Sequence, residues 1–298
     1  MRNVAVIGAN GQLGVDVCHA FRIAGCEVFP LTHSEIEVTS AGSVHSALAP
    51  IAPDLIVNTS AMHHVDNCEN NPALAFAVNA IGARNIALFA NTIGSALAHI
   101  STDYVFDGEK LSPYIETDTP LPLNVYGNSK LAAETFVRSI ANCHFVVRVS
   151  AIYGFAPCRG KQGMNFVERM LYLANNNAPI RVVDDEFVTP TPTEQVAIQL
   201  VALCNSRAYG LYHATCEGSC SWFEFARAIF DITGLKPNLD RTRTTSRTDG
   251  SGHSVRRPKY SVLENAALKR LRLNRFTDWR IGLEEFLNRR NCIRAAIA

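Results

Sequence analysis

The sequence predicts an α/β protein: a Rossmann-type doubly wound parallel sheet with a smaller C-terminal substrate-binding domain. The apolar run at residues 3–7 leads into a glycine-rich turn and then a helical pattern, the order that a dinucleotide fingerprint requires. Apolar runs typical of buried strands then alternate with helical patterns up to about residue 150, which favours a parallel sheet. Beyond that point the alternation loosens, which indicates a second region.

Composition excludes several classes of protein. The chain has 298 residues, is 47% hydrophobic and carries a formal net charge of +1, so we expect no nucleic-acid partner. No apolar run approaches the roughly 18 residues of a membrane span, and no signal-peptide pattern is present. We therefore expect a cytoplasmic protein without a membrane partner. The nine cysteines are scattered, without the spacing of a zinc site, so no metal site is predicted.

The glycine-rich turn runs from residue 8 to residue 14 as Gly-Ala-Asn-Gly-Gln-Leu-Gly. Glycines let the backbone approach a pyrophosphate, and the N-terminus of the following helix supplies the positive end of a dipole. The alternative is a tight turn with no ligand. We predict that this turn binds the cofactor through its glycines Gly8, Gly11 and Gly14.

The second strand, residues 27–31, ends in Thr32-His33-Ser34. A site specific for NAD usually has Asp or Glu at this point, to hold the ribose hydroxyls. Without that carboxylate, His33 and Ser34 could donate hydrogen bonds to a 2′-phosphate. NADPH is therefore the expected cofactor, and NADH stays possible because Glu35 and Glu37 lie close by.

The third strand, residues 54–59, follows a helix expected over residues 41–50. It leads into Thr59-Ser60-Ala61, where small side chains would let a cofactor lie against the backbone. His63 and His64 come next, with acidic neighbours. Adjacent histidines rarely share one metal, so we interpret this segment as a solvated or substrate-side loop.

The fourth strand, residues 95–100, follows a helix that starts at Asn71-Pro72. It delivers Thr102 to its C-terminal end, where open parallel sheets bind their ligands. After a loop over 107–124, a helix begins with Tyr126 and Lys130, which would share one face. The pKa of a tyrosine is ordinarily about 10, and a nearby ammonium would favour the phenolate and make proton transfer possible. The alternative is a chance pair on an exposed helix.

The remaining elements define the proposed division of the chain. A strand at 144–149 completes the alternation, and a strand at 210–214 is expected to rejoin the main sheet. We assign residues 1–150 to a nucleotide-binding domain, rejoined by about residues 180–214, and residues 151–298 mainly to substrate binding. Helices are expected at 165–174, 193–204 and 222–233, a short strand at 180–184, and a linker or anion-binding segment at 236–258.

These motifs together resemble one known family. The glycine motif, the run Ser-Thr-Asp-Tyr-Val-Phe-Asp-Gly at 101–108 and Tyr-Gly-Asn-Ser-Lys at 126–130 resemble an extended short-chain dehydrogenase/reductase. They are most similar to the dTDP-4-dehydrorhamnose reductase group. Runs at 165–166, 183–187, 210–213 and 257–263 match the same group, so the resemblance covers almost the whole chain.

The resemblance implies roles for individual residues. Tyr126 would protonate the C4 oxygen of a sugar ketone, and Lys130 would bind the nicotinamide ribose and tune Tyr126. Thr102 would hydrogen-bond the substrate oxygen, and Asp103 would border the substrate. Tyr104 follows Asp103 where related 4,6-dehydratases have a glutamate, which favours simple reduction. Gly11, Gln12 and Leu13 would cradle the pyrophosphate. The other implied contacts are Thr59, Ser60 and Ala61 with the cofactor and Ala151, Asn165 and Arg257 with the substrate.

One departure concerns the sugar. Members of the group commonly have a tryptophan that packs on the sugar where this chain has Ala151. The expected reaction is NADPH-dependent reduction of dTDP-4-dehydro-L-rhamnose to dTDP-L-rhamnose, although the substrate could be another nucleotide sugar. A reductase of a small carbonyl would also fit, as would a non-catalytic regulatory subunit resembling the methionine adenosyltransferase β subunit. A homodimer is possible.

Overall fold

The structure is a computed structural model that describes residues 1–158, 163–244 and 255–297, with side chains up to residue 292. A six-stranded sheet forms its centre, and every strand pairs parallel to its neighbours. Its strands are β1 (Asn3–Ile7), β2 (Glu27–Leu31), β3 (Leu55–Asn58), β4 (Ala96–Thr102), β5 (His144–Val149) and β10 (Gly210–His213). Their spatial order is β2-β1-β3-β4-β5-β10.

Helices cover both faces of this sheet, so the predicted fold class is confirmed. Every residue of β3 and β4 is buried, as two covered faces require. The helices are α1 (Gln12–Ile23), α2 (Ala41–Leu48), α3 (Val65–Asn70), α4 (Pro72–Phe76), α5 (Gly82–Ile93), α6 (Val125–Ile140), α7 (Phe166–Asn175), α8 (Thr193–Ser206), α9 (Trp222–Thr233), α10 (Ala266–Arg270) and α11 (Trp279–Ile297).

Two hydrophobic cores lie on the two faces of the sheet. One face packs α1, α8 and α9 with the C-terminal helix α11. The other packs α2, α5 and α6. The C-terminal region therefore shares a core with α1 rather than forming a core of its own.

The sequence was expected to contain no apolar run long enough to span a membrane, and one helical stretch shows that this expectation was wrong. A π-helical turn, Ala77–Ile81, joins α4 to α5, which makes the helix continuous over Pro72–Ile93. This stretch is long and apolar enough to cross a membrane, but 56% of its apolar window is buried inside the protein. Its apolar character is that of a core helix packed on the sheet.

Small two-stranded sheets shape the C-terminal region. β6 (Ile152–Tyr153) pairs with β9 (Thr191–Pro192), and β8 (Phe187–Val188) pairs with β11 (Cys220–Ser221). β7 (Ile180–Val183) pairs with β12 (Leu239–Thr242).

The structure answers two expectations about this region. β10 joins the main sheet beside β5, as expected, whereas β7 pairs with β12 outside that sheet. The predicted linker at 236–258 contains the strand β12, and residues 245–254 lie outside the described part of the chain.

Candidate active site

The candidate site lies at the C-terminal ends of β1, β3 and β4. β2 and β3 flank β1 on opposite sides, so the connections that follow β1 and β2 leave in opposite directions. Such a switch point opens a crevice at the ends of the strands, where doubly wound sheets bind their ligands. The glycine turn follows β1, and the Thr102 segment ends β4.

The glycine turn forms a cradle that side chains would fill. A Cβ on Gly14 would lie 2.2 Å from the carbonyl oxygen of Gly8, and one on Gly8 would lie 2.8 Å from Thr59 Oγ1. Gly8 also has a φ of 79°, which glycine adopts without strain. Gly11 precedes α1 and offers no capping side chain, which leaves the helix N-terminus suited to an anion. These features fit the pyrophosphate of a dinucleotide.

Gln12 and Leu13 point into the protein. Gln12 Nε2 donates to the carbonyl oxygen of Ala156 at 3.3 Å and lies 3.5 Å from that of Gly154. Leu13 is buried in the core. Contact of these residues with a cofactor would therefore come from their backbone groups.

The side chains at the end of β2 are arranged differently from what the sequence predicted. His33 is exposed and lies 3.5 Å from Glu37, and the Ser34 hydroxyl donates to Glu35 at 2.7 Å. Hydrogen bonds from the Thr32 hydroxyl, and then from Ser34, lower the pKa of Glu35 to about 2. A charged carboxylate therefore lies beside the hydroxyls that were expected to face a 2′-phosphate.

The loop after β3 is fixed against β1. Thr59 Oγ1 donates to the carbonyl oxygen of Ile7 at 2.8 Å, and Ser60 Oγ donates to Asn58 Oδ1 at 2.6 Å. Ala61 is half-buried. These small side chains keep the loop close to the glycine cradle.

Two features of the α6 N-terminus bring Tyr126 to Thr102. Asn124 caps the helix by accepting from the Gly127 N–H at 2.9 Å. A Cβ on Gly127 would lie 2.2 Å from the carbonyl oxygen of Tyr104, so only glycine permits this close approach. The Tyr126 hydroxyl consequently lies close enough to the Thr102 side chain for that side chain to influence its pKa.

The pKa of Tyr126 moves in the opposite direction from the one expected. Burial raises this pKa, and the nearby Thr102 side chain only partly opposes the rise. Because the Lys130 amine bonds to the strand β4 instead, it does not favour the phenolate here. Tyr126 therefore stays protonated at neutral pH, as a proton donor must.

Lys130 is almost fully buried, at 2% exposure. Its Nζ donates to the carbonyl oxygen of Ile100 at 2.6 Å and lies 3.4 Å from His99 Nε2. Burial lowers the pKa of the amine to about 8, because a charged group loses its hydration there.

Asp103 is buried and accepts hydrogen bonds from three hydroxyl groups. These come from Thr102 at 2.9 Å, Ser150 at 2.9 Å and Ser261 at 2.6 Å. Burial raises the pKa of the carboxyl, although the hydroxyl donors oppose this. Asp103 thus orients Thr102 and ties the C-terminal segment to β4.

The residues expected on the substrate side are engaged within the protein. Ala151 has a φ of 41°, a strained value for a residue other than glycine. Asn165 caps α7 and donates to the carbonyl oxygen of Gly154 at 2.8 Å. Arg257 donates to both oxygens of Asp66, at 2.9 and 3.1 Å. Their substrate roles stay predictions.

Sequence reasoning missed a buried ion pair behind the site. Arg148 on β5 donates to both oxygens of Glu134 on α6, at 2.8 and 2.7 Å, and both side chains are 1% exposed. The sequence signal was an arginine inside the apolar run of β5, because a buried charge requires a partner. This pair holds α6 against the sheet one turn after Lys130.

Asn79 was also missed. It lies in the π-helical turn, where its Nδ2 donates to Ser129 Oγ at 2.9 Å and to the carbonyl oxygen of Met62 at 3.0 Å. It thereby links the loop after β3 to α6. π-Helical turns often occur at functional sites, but no sequence pattern announces them.

Two further features of the described residues bear on where a ligand could bind. Among the residues that the structure describes, no group of three or more His, Cys, Asp or Glu side chains could hold a metal ion. A cavity of about 420 Å³ lies between α8 and α11, and none of the predicted site residues lines it. The strand-end crevice is therefore the site where the predicted chemistry gathers.

Comparison with known proteins identifies the family. The family model described as "RmlD substrate binding domain" matches residues 1–292. The chain belongs to the RmlD substrate binding domain family. The resemblance to dTDP-4-dehydrorhamnose reductases is thereby confirmed.

Sequence similarity to relatives extends over nearly the whole chain. A "Spore coat polysaccharide biosynthesis protein SpsK" of Bacillus subtilis is 38% identical over 98% of this chain and 99% of its own. A "dTDP-4-keto-6-deoxy-D-glucose reductase" of Streptomyces niveus is 33% identical over 94% of each chain. The crystal structure of a dTDP-4-dehydrorhamnose reductase from Bacillus anthracis in complex with NADP superimposes with a TM-score of 0.90. That protein is 36% identical and covers 97% of this chain and 100% of its own.

Proposed function

We propose that this protein is an NADPH-dependent reductase of the C4 ketone of a dTDP-linked 4-keto-6-deoxy sugar. The observation that carries the proposal is that α6 places Tyr126 beside Thr102 and the Lys130 amine on the Ile100 carbonyl, both toward the C-terminal end of β4. The named activities of the Streptomyces niveus and Bacillus anthracis relatives support it. The leading substrate is dTDP-4-dehydro-L-rhamnose, and the product is dTDP-L-rhamnose.

The reaction adds a hydride and a proton to a ketone and yields an alcohol. When bound, NADPH supplies the hydride to C4 and leaves as NADP⁺. Tyr126, which its raised pKa keeps protonated, donates its phenolic proton to the C4 oxygen. The Thr102 hydroxyl, which donates to Asp103 in this structure, would turn its proton to that oxygen and hold it near the phenol. Lys130 binds the nicotinamide ribose, and Tyr126 regains its proton from solvent after the transfer.

Positioning accounts for most of the catalytic effect that we propose. The crevice holds the ketone carbon and the hydride donor at fixed places on rigid strand ends, which removes much of the entropic cost of bringing them together. Gly8, Gly11, Gly14 and the backbone of residues 12–13 would hold the pyrophosphate. Thr59, Ser60 and Ala61 would line the rest of the cofactor, with His33 and Ser34 at the adenosine ribose.

The choice of sugar depends on the residues that we propose for the substrate side of the site. Ala151 offers no aromatic face to the sugar, so the reduced ketone could also be dTDP-4-keto-6-deoxy-D-glucose, the substrate in the name of the Streptomyces niveus relative. We propose that Arg257, held by Asp66 near the start of α6, binds the nucleotide diphosphate. We also propose residues 151–298 as the main substrate-binding region and a cytoplasmic location.

A direct assay tests the proposal. NADPH oxidation is followed with each of the two dTDP sugars, and the product is identified by NMR. We expect oxidation with at least one sugar and a 4-hydroxy product. NADPH that binds without turnover on either sugar would contradict the reductase and favour the non-catalytic regulatory subunit. A strong preference for NADH would contradict the choice of cofactor, and Glu35 would be its structural cause.

A further inference from the structure

A buried chain of polar side chains connects the cofactor loop to Lys130. Ser60 bonds to Asn58, Asn58 contacts His99, and His99 contacts the Lys130 amine. Asn58, His99 and Lys130 are each no more than 2% exposed. The chain crosses from β3 through β4 to α6, so it joins the two halves of the proposed site.

The orientation of the Asn58 amide is fixed. Its Oδ1 accepts from the Ser60 backbone N–H at 3.1 Å and from Ser60 Oγ at 2.6 Å. A backbone N–H can only donate, so the atom that faces it must be the amide oxygen. The amide nitrogen Nδ2 therefore faces His99 Nδ1, at 3.2 Å.

This orientation selects one tautomer of His99. An amide nitrogen only donates, so His99 Nδ1 must accept and carries no proton. Burial lowers the pKa of His99 well below its usual value, and a charge on Lys130 would lower it further, so the ring is neutral. A neutral imidazole has one N–H, and here it is Nε2–H, which faces Lys130 Nζ at 3.4 Å.

The Nε2–H of His99 suits only one form of the Lys130 amine. An ammonium has three donors and no lone pair, so it would meet a second donor at His99. A neutral amine donates to the Ile100 carbonyl at 2.6 Å and accepts from His99 with its lone pair. The inward position of Lys130 therefore matches the neutral amine.

We propose that His99 is a positioning residue for Lys130, because it presents an N–H that excludes the ammonium from the buried position beside β4. When Lys130 is protonated, it gains by moving from His99 toward the cofactor side of the site. Ser60 belongs to the loop that lines the proposed cofactor site, so the state of that loop is transmitted through Asn58 to Lys130. This inference rests on the proposed function for the role of Lys130.

The charged groups around Lys130 agree with this picture. Glu134, one turn along α6, favours the ammonium, but both of its oxygens accept from Arg148. Tyr126 lies one turn earlier on α6 and is protonated, and Asp103 bonds to three hydroxyls. Among the described residues, His99 is thus the titratable side chain for which a direct contact with the Lys130 amine is seen.

The tautomer can be observed directly by long-range ¹H–¹⁵N NMR of the histidine rings. We expect His99 with its proton on Nε2, its signal being assigned as the one that disappears in the His99→Leu variant. Replacement Asn58→Asp offers His99 an oxygen acceptor instead of an N–H donor, so the proton should move to Nδ1. An Nδ1–H ring in the unaltered protein would overturn the inference.

The consequence for Lys130 is measured by titration of ¹³C-labelled lysine. The chain has six lysines, and the Lys130 signal is assigned by its loss in the Lys130→Arg variant. In Asn58→Asp, His99 Nε2 becomes an acceptor for the ammonium, and the new carboxylate adds its own attraction. The Lys130 midpoint should rise by about one to three pH units, as nearby favourable groups produce.

The double variant Asn58→Asp/His99→Leu separates the two causes. It keeps the carboxylate and removes the imidazole, so its Lys130 midpoint, compared with that of His99→Leu alone, should rise clearly less than Asn58→Asp raises it in the unaltered protein. If Asn58→Asp raises the Lys130 midpoint equally in the presence and absence of His99, charge alone acts and the inference is overturned. Neither measurement needs turnover, so failure of sugar reduction would contradict the proposed function and leave these results to stand by themselves.

Discussion

The proposed reaction centre and the proposed substrate side of this protein are built in different ways. At the reaction centre, Thr102 and Tyr126 lie at the ends of one strand and one helix, and short-range caps and glycines hold them. On the substrate side, Arg257 contacts Asp66, which is 191 residues away in the sequence. The proposed reaction centre therefore comes mainly from β4 and from α6, the next long element in the chain, whereas the proposed sugar contacts depend on segments that are distant in the sequence.

The largest expected effect comes from breaking the reaction centre. Tyr126→Phe removes the proton donor and leaves the ring in place. We expect kcat to fall by about 10²- to 10⁴-fold, the usual contribution of a general acid, with NADPH affinity unchanged by fluorescence titration. Tyr172→Phe, on an exposed face of α7, is the control. Undiminished turnover in Tyr126→Phe would show that another group donates the proton.

The next effect concerns the ion pair that supports the reaction centre. Arg148→Met leaves Glu134 buried without its partner, and we expect a loss of about 3–5 kcal/mol in the free energy of unfolding. Urea denaturation measures this. Arg289→Met breaks an exposed pair with Glu194 and should cost at most about 1 kcal/mol. Similar losses in both variants would refute the distinction between the buried and the exposed pair.

A third change addresses the substrate side. Arg257→Ala should raise KM for the dTDP sugar about tenfold, because a charge-assisted hydrogen bond is worth roughly 1.5–3 kcal/mol, and kcat should change little. Arg256 is exposed, and its backbone carbonyl accepts from Asn124, so Arg256→Ala is a matched control. If KM stays the same in Arg257→Ala, this arginine does not bind the substrate.

The pH dependence sharpens the account of the reaction centre. The pKa of Lys130 is lowered to about 8, so its ammonium is present below that pH and lost above it. Because the ammonium binds the ribose in our proposal, kcat/KM should fall as pH rises through about 8. Lys130→Arg keeps its charge and should lose this alkaline limb, together with part of its activity. A profile without any decline on the alkaline side would contradict this role.

The smallest effect concerns the backbone on the substrate side. Ala151 has a positive φ of 41°, which costs residues other than glycine about 1–2 kcal/mol. After the higher chain entropy of glycine is subtracted, Ala151→Gly should stabilise the protein by about 0.5–1 kcal/mol. Ala174→Gly, inside α7, should destabilise it by a similar amount. A lower urea midpoint for Ala151→Gly would disprove the strain.

The same contrast explains which features the sequence could predict. The strand–turn–helix order predicted the sheet and the glycine cradle, and the spacing of Tyr126 and Lys130 placed both on α6. The inward turn of the Lys130 amine depends on His99 and Ile100 of another element, so spacing could not indicate it. Glu35 at the end of β2 depends on a local turn of a few residues, where sequence boundaries are least certain.

The pairing of distant segments was out of reach for a physical reason. β12 begins at Leu239 and pairs with β7, which ends at Val183, and neither strand has a pattern that specifies its partner. The Arg257–Asp66 and Asp103–Ser261 contacts are equally non-local. The charge of Arg148 was visible in the apolar run of β5, but only the fold shows that Glu134 is its partner.

Transfer of deuterium from NADPH tests the central claim most directly. The experiment uses NADPH in which deuterium replaces the C4 hydrogen of the nicotinamide ring that is transferred as hydride. It is incubated with the protein and the dTDP-4-keto sugar, and the product is analysed by NMR and mass spectrometry. The account predicts one deuterium at C4 of the sugar and one equivalent of NADP⁺ per alcohol formed. A 4-hydroxy product without deuterium, or deuterium at any other carbon, would contradict reduction at this centre.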